Sequence, residues 1–288
     1  MGELIPDLEA QLPELARNVI KHHLHDGPAR ERFLLNPDDP AEHEPRWHQF
    51  GIVTHNVRAA ATYREEIPTY LDEWGLSGDV APYLEQQIDG TPRGELLDVG
   101  LLFHDIGKFA ARTSVERNGA TAFSFAEHAC FSGSIIRSRL FDFLSTDLDM
   151  SPAQREYIAT CGDRHYDLAT VRNAAKGSVT GYSIAFTSSD DFHDGAQQIQ
   201  DEQPAFAPEI GILFLADNLS KTDVRLADVE TDEDIEAQMV EIPEMLREQG
   251  LNPGLVQAVR QLPVNIAVAR QYLEVWKSEK NTVSPLDS

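Results

Sequence analysis

Four histidines and two aspartates stand in apolar surroundings where ionisable side chains are costly: His55, His104, Asp105, His128, His165 and Asp217. An unpaired charge buried among hydrocarbon costs several kcal/mol, so such residues need partners. Taken singly, each has an ordinary account as a hydrogen-bonded core histidine or an aspartate that caps a helix or pairs with an arginine. Together they make a metal constellation spread over five predicted helices. Neutral imidazoles and carboxylates suit divalent transition ions, whose charge offsets the burial of Asp105 and Asp217. Neighbouring helical positions differ by about 100°, so His104 and Asp105 can reach one ion from different sides. The second oxygen of Asp105 is then left for a second ion. Six ligands exceed one tetrahedral site but suit two ions sharing Asp105 and a water. The residues accept manganese, iron, nickel, cobalt, zinc or magnesium alike.

The elements that must position these residues read as helices. His55 follows Ile52 by three and precedes Ala59 by four, sharing their stripe on a helix expected over 47–66. His104 and Asp105 end "GELLDVGLLFHDIG" (94–107), apolar nearly all round and therefore buried. Ser124 and Glu127 read as a capping box for the helix that His128 starts. Ser151, Pro152 and Gln154 read as another for the helix that His165 ends. Asp217 lies three and seven residues after Phe214 and Ile210, on the inward face of a helix beginning at Pro208. Further helices are expected over 8–25 and in one or two C-terminal pieces over 236–277. The stretch 26–46 is turn-rich, 67–93 is punctuated by proline and glycine, and 227–235 is a polar linker. Residues 177–207 read as an irregular acidic insertion with a possible short hairpin, and the last dozen residues as frayed. No alternating strand pattern of any length occurs, so the expected fold class is all-α.

Composition bounds the partners. The chain has 288 residues, 41% of them hydrophobic, enough for a real core. Lys+Arg 24 against Asp+Glu 48 gives a formal charge of −24, which repels nucleic-acid backbone and disfavours duplex binding. A small anionic substrate remains compatible if a local cationic centre overrides that field. Two cysteines, Cys130 and Cys161, exclude a disulfide framework and lack the spacing of a zinc site. No apolar run reaches the roughly 18 residues of a membrane span, and "MGELIPDLEA" is neither a signal nor a transit peptide. A cytoplasmic location and no membrane partner are the expectation; oligomeric state is unreadable.

The ordered set His55, His104-Asp105, His128, His165, Asp217, with "HDIGK", resembles the HD superfamily of metal-dependent phosphohydrolases, in the variant with two extra histidines and a dinuclear centre. The likeness is strongest over 97–168, where "LLFHDIGKFAAR", "GATAFSFAEHACFSGSIIRSRL" and "DRHYD" look like the HD domain attached to bacterial tRNA nucleotidyltransferases. It extends over roughly 45–230, through "IVTHNVRAA" and "ILFLADNLSKTDVRL". The resemblance implies an HD-type helical bundle with loop insertions, one domain over 1–288, the terminal helices packed on the core and 278–288 a loose tail. It implies that His55, His104, Asp105 and Asp217 hold one divalent ion while Asp105, His128 and His165 hold the second. It makes Asp105 and Lys108 catalytic, Lys108 meeting substrate phosphate or a transition-state oxygen. Arg112 and Arg164 are weaker candidates for phosphate contact.

The implied activity is hydrolysis of a phosphate ester, of a nucleotide, cyclic nucleotide or dinucleotide, by a hydroxide bridging two metal ions. The sequence as it stands shows no nucleotidyltransferase head. It also lacks the glutamate-aspartate pair that follows HD in ppGpp hydrolases, and "TGYS" is not the signature of cyclic-di-GMP hydrolases. A second reading comes from HD-fold proteins resembling inositol oxygenase, which use the same six ligands for two irons and dioxygen. His48 is a candidate proton donor one heptad before His55. "HHLH" at 22–25 reads as a solvated helix end, Asp190, Asp191 and Asp194 as a solvated loop, Cys130 as packing, and Cys161 as a candidate for the pocket wall.

Overall fold

Eight successive residues from Leu96 to Phe103 are buried, so the helix that carries them has protein on every side. The computed structural model describes residues 5–117, 120–142, 150–175 and 183–282 and is predominantly α-helical. In chain order the helices are α1 (Ile5–His23), α2 (Gly27–Leu35), α3 (Ile52–Glu65), α4 (Ile67–Glu73), α5 (Ser77–Leu84), α6 (Arg93–Phe103) and α7 (Lys108–Ala111). They continue as α8 (His128–Arg137), α9 (Arg139–Asp142), α10 (Pro152–Arg164), α11 (Asp167–Ala175), α12 (Asp190–Glu202) and α13 (Ala207–Leu219), then α14 (Asp232–Met239), α15 (Ile242–Glu248) and α16 (Val256–Thr282). Two small antiparallel pairs interrupt them, β1 (Gln87–Ile88) with β2 (Thr91–Pro92) and β3 (Thr113–Arg117) with β4 (Ala120–Ser124).

The central helix α6 packs against α3 on one side and α10 on another; α10 packs on α8, and α13 lies between α3 and α16. One contiguous apolar core runs from Leu8 on α1 to Trp276 on α16, and a smaller cluster around Leu246 and Val259 lies beside it. All thirteen residues of α13 are buried. Its Glu209 is held there by Arg93 Nε at 2.8 Å and by the hydroxyls of Tyr83 and Tyr157 at 3.0 Å each. Those bonds tie α13 to α5, α6 and α10 and satisfy a carboxylate that burial alone would make costly. The α10 start is as the sequence predicts: Ser151 and Gln154 form a reciprocal capping box with Pro152 in the first turn.

Several expectations are corrected. The helix expected from 47 begins at Ile52, because the loop before it is pinned by Asp38, whose carboxylate accepts from the Thr54 amide at 2.8 Å. His48 is therefore in a loop and not on the helix of His55. The turn-rich 26–46 contains α2, whose first turn is capped by Asp26. Ser124 closes the β3–β4 ladder opposite Thr113 and caps nothing; Glu127, with φ 62°, precedes α8 instead. Much of the acidic insertion is α12, with Ser189 as its cap and Asp190 and Asp191 in its first turn, where acidic charge favours the helix dipole. The C-terminal region holds three helices, and residues 278–282 continue α16. Of the insertion 177–207, for which the sequence allows a short hairpin, residues 177–182 lie outside the described residues, as does the end of the tail at 283–288, and 183–207 holds no strand. Among the described residues no helix is long and apolar enough to cross a membrane.

Candidate metal centre

Helix ends converge at one point. α3 contributes His55 from its first turn, the C-terminal end of α6 contributes His104 and Asp105, α8 begins with His128, His165 follows α10, and Asp217 lies in the last turn of α13. The turn from Asp105 into α7 passes so close to α8 that a Cβ on Gly107 would collide with the His128 carbonyl and the Ser132 amide. The Gly107 amide instead donates to Ser132 Oγ at 2.9 Å. Glycine at this position brings Asp105 and His128 together.

Two donor groups result, and they share one residue: His55, His104, Asp105 and Asp217 form one, and Asp105, His128 and His165 the other. Asp105 Oδ2 is 3.4 Å from His55 Nε2 and 3.6 Å from His104 Nε2, while Asp217 Oδ1 is 3.1 and 3.6 Å from the same nitrogens. Asp105 Oδ1 faces the other way, 3.4 Å from His128 Nε2 and 3.3 Å from His165 Nε2. The six residues that the sequence singled out thus meet, with one Asp105 oxygen on each side.

The tautomers are set from behind. The Nδ1–H groups of His104, His128 and His165 donate to the carbonyls of Leu101, Phe125 and Gly162 at 2.6, 2.8 and 2.7 Å. His55 Nδ1 meets Ser220 Oγ at 3.2 Å, and that hydroxyl itself donates to the Asp217 carbonyl at 2.8 Å. Each Nε2 is left as a lone pair aimed inward, as metal-ligating imidazoles require. His128 and His165 then point their Nε2 atoms at each other across 3.1 Å, an arrangement of two acceptors that asks for a positive charge. His104 Nε2 and both Asp105 oxygens are buried without a hydrogen-bond partner. Buried polar atoms are nearly always satisfied; Lys108 meets Asp105 Oδ2 as an ion pair at 2.5 Å, and the acceptors that remain, His104 Nε2 and Asp105 Oδ1, fit a cation.

Electrostatics agree. Burial pushes the Asp105 carboxyl upward, but the Lys108 ammonium at 2.5 Å chiefly holds it well below the usual carboxylate range. Asp217 behaves alike, with Lys221 at 2.8 Å as the chief opposing charge. Burial drives His128 down to about 3, so its ring is neutral at any ordinary pH. The side chain of His128 is 12% exposed, against 2% for His165, so the second group lies nearer the opening.

The opening is a cavity of about 500 Å³ whose walls include Trp47, Phe125, Tyr166, Lys108, Lys221 and Arg172. Lys108 belongs there, as its place in "HDIGK" implied. Its Nζ lies 2.9 Å from Nε2 of His43, whose Nδ1–H is fixed on the Phe50 carbonyl at 2.9 Å. The His48 ring stacks on His43 at 3.8 Å. Arg112 does not line the cavity. It is 1% exposed, paired with Asp26 at 2.8 Å and Glu42 at 2.6 Å and stacked over Phe123, so it clamps the segment before α3 onto α7. Arg164 pairs with Asp167 at 3.2 Å and also lies outside the cavity wall. Cys161 is buried against Gly100 in the α6–α10 contact and is not in the wall of this cavity, while Cys130 is exposed. "HHLH" is solvated at its three histidines, as expected.

Sequence reasoning missed His43, Arg172 and Lys221. Only Lys221 carried a usable signal, a lysine four residues after an inward aspartate. No family model, curated protein or solved structure matches this chain. The helical fold and its buried His/Asp cluster, able to hold metal, are compatible with an HD-like arrangement.

Proposed function

We propose that the protein is a metal-dependent phosphohydrolase of the HD type that cleaves a phosphate ester of a nucleotide, cyclic nucleotide or dinucleotide. The observation that carries this reading is the divided carboxylate of Asp105, one oxygen toward each donor group. In this reading His55, His104, Asp105 and Asp217 hold one divalent cation, and Asp105, His128 and His165 hold the other. When bound, such a pair supplies Lewis acidity toward phosphate oxygens and a water acidic enough to attack near neutral pH.

The chain's own residues do the rest. The carbonyls behind the imidazoles keep Nε2 of each ring on target, so little reorganisation is needed. Lys108, held between Asp105 and His43, places a positive charge where negative charge builds on the phosphoryl oxygens. His48 is pushed well toward its neutral form by burial and lies 3.4 Å from Lys108 Nζ. It fits positioning Lys108 better than supplying a proton to the leaving group. The aromatic walls accept the body of the substrate.

The test is metal stoichiometry by plasma mass spectrometry on anaerobically purified protein, beside phosphate release from a nucleotide panel with added manganese or nickel. Two ions per chain with phosphoester turnover supports the reading. Two irons with oxygen uptake and no phosphate release replaces it with a di-iron oxygenase, and protein that takes up no metal rejects both.

A further inference from the structure

Most aromatic side chains in the cavity wall already have a partner. Phe123 is covered by Arg112, whose guanidinium lies 4.0 Å from the ring centre. Phe125 meets the His43 ring edge to face at 6.2 Å, and Phe214 is 1% exposed in the core. Tyr166 meets the rings of His128 and His165 edge to face at 5.4 and 6.3 Å. Trp47 differs. It is half-buried, and among the described residues its indole meets no other ring and no cation, and its Nε1–H no acceptor. A partly buried indole usually finds an acceptor for its N–H, so a ring and its polar handle are both left to the cavity.

The loop fixes that ring in advance. The Trp47 amide donates to the Glu44 carbonyl at 2.8 Å, in a turn for which Glu44 takes a left-handed φ of 46°. Glutamate seldom adopts that conformation, and such strain persists only where the surroundings impose it. Here they do. His43 is bonded to the Phe50 carbonyl and to Lys108, each at 2.9 Å, and the Gln49 amide donates to the Lys221 carbonyl at 2.8 Å. Gln49 Oε1 accepts from Thr222 Oγ1 at 3.1 Å and from the Asp223 amide at 2.9 Å. The indole is therefore bracketed by residues tied to α7 on one side and to the segment after α13 on the other. A ring held in this way loses little further freedom when a ligand arrives. The next residue, His48, lies 3.4 Å from Lys108 Nζ, so the indole is one residue from the side chains that hold the phosphate-facing lysine.

We infer that Trp47 is a preformed stacking platform for a planar heteroaromatic ring of the substrate. The ester cleaved at Asp105 then carries a nucleobase-like ring and is not a sugar, polyol or lipid phosphate. This rests on the phosphoester reading above and narrows its substrate class. Stacking on an indole gives affinity that owes nothing to positive charge, which suits a chain of net charge −24. A 500 Å³ cavity has room for the ring, the phosphate and the body between them.

Calorimetric titration tests the inference with the 5′-monophosphates of adenosine, guanosine, cytidine and uridine against ribose 5-phosphate, which has the same ester and no base. The expected result is about tenfold tighter binding, or more, of at least one nucleotide. It should come with quenching of Trp47 emission that ribose 5-phosphate does not produce. Trp47→Phe identifies that emission among the three tryptophans and should keep most of the preference. Trp47→Leu should lower nucleotide affinity about tenfold and ribose 5-phosphate affinity far less. In the wild-type protein, equal affinity for all five ligands, no binding of any, or a preference without quenching overturns the inference without recourse to a variant. So does a Trp47→Leu protein that keeps the preference, or one that loses nucleotide and ribose 5-phosphate alike, since Trp47 is then only a strut of its loop. Preference and quenching without phosphate release from any ester keep the platform and reject the hydrolase. Turnover of ribose 5-phosphate as fast as of the nucleotides, without preference in binding, does the reverse.

Discussion

His128 differs from the other three imidazoles in exposure: its side chain is 12% exposed and faces His165 near the opening. His128→Ala should therefore deplete one ion per chain and leave the other, read by metal analysis after gel filtration. Retention of two ions would dissolve the second donor group. The six donors were legible because each is an ionisable residue in an apolar stretch, a local anomaly that needs no knowledge of neighbours. His43 and Arg172 were not legible, since nothing local distinguishes them. His43 matters through Lys108, sixty-five residues away, and Arg172 through Asn265, ninety-three away. Nor was the setting of Arg112 legible: named as a weaker candidate for phosphate contact, it is claimed by two carboxylates distant in sequence.

At the scale of elements, the α6–α7 turn and α8 stand or fall together. Gly107→Ala drives a methyl into the His128 carbonyl, and overpacking of this kind costs about 1–3 kcal/mol. The expected outcome is a lower melting temperature with loss of the ion nearest His128 ahead of the other. Unchanged melting and full metal content would mean that the turn relaxes freely. On the opposite face of α6, Asp98 is 8% exposed and paired with Arg64 at 2.9 Å. Burial pushes its carboxyl up to about 6, Arg64 only partly opposing. A raised folded-state pKa means that the native protein binds a proton the unfolded chain has released. The stability it lends is full below the unfolded value and lost as pH rises through about 6. Asp98→Asn should flatten the stability profile between about pH 4 and 6 and raise stability at neutral pH by on the order of 1–3 kcal/mol. Chemical denaturation at several pH values reads this, and a parallel profile would show that Arg64 compensates fully. Helix existence was readable from apolar runs and start signals, as α6, α10 and α13 show. Boundaries failed where a long-range contact decided them, as Asp38 does for the start of α3.

For the whole molecule, the charge of −24 sets the response to salt. A compact acidic chain repels itself, and screening relieves that repulsion over roughly 10 Å at 0.1 M ionic strength. Thermal melting in rising potassium chloride should shift upward by several degrees between low salt and about 1 M. A downward shift would mean that surface ion pairs such as Arg137–Glu156 outweigh the general repulsion.

The segment before α3 is fastened to α7 at two successive positions. Glu42 takes Arg112, and the adjacent His43 takes Lys108, one helical turn earlier. Two neighbouring residues of the strip thus hold two residues one turn apart along α7, so a shift of this strip would pull on Lys108. Trp47 and His48 are carried a few residues further on. The N-terminal segment is thereby joined, through two side-chain pairs, to the same turn that carries Asp105 and Lys108.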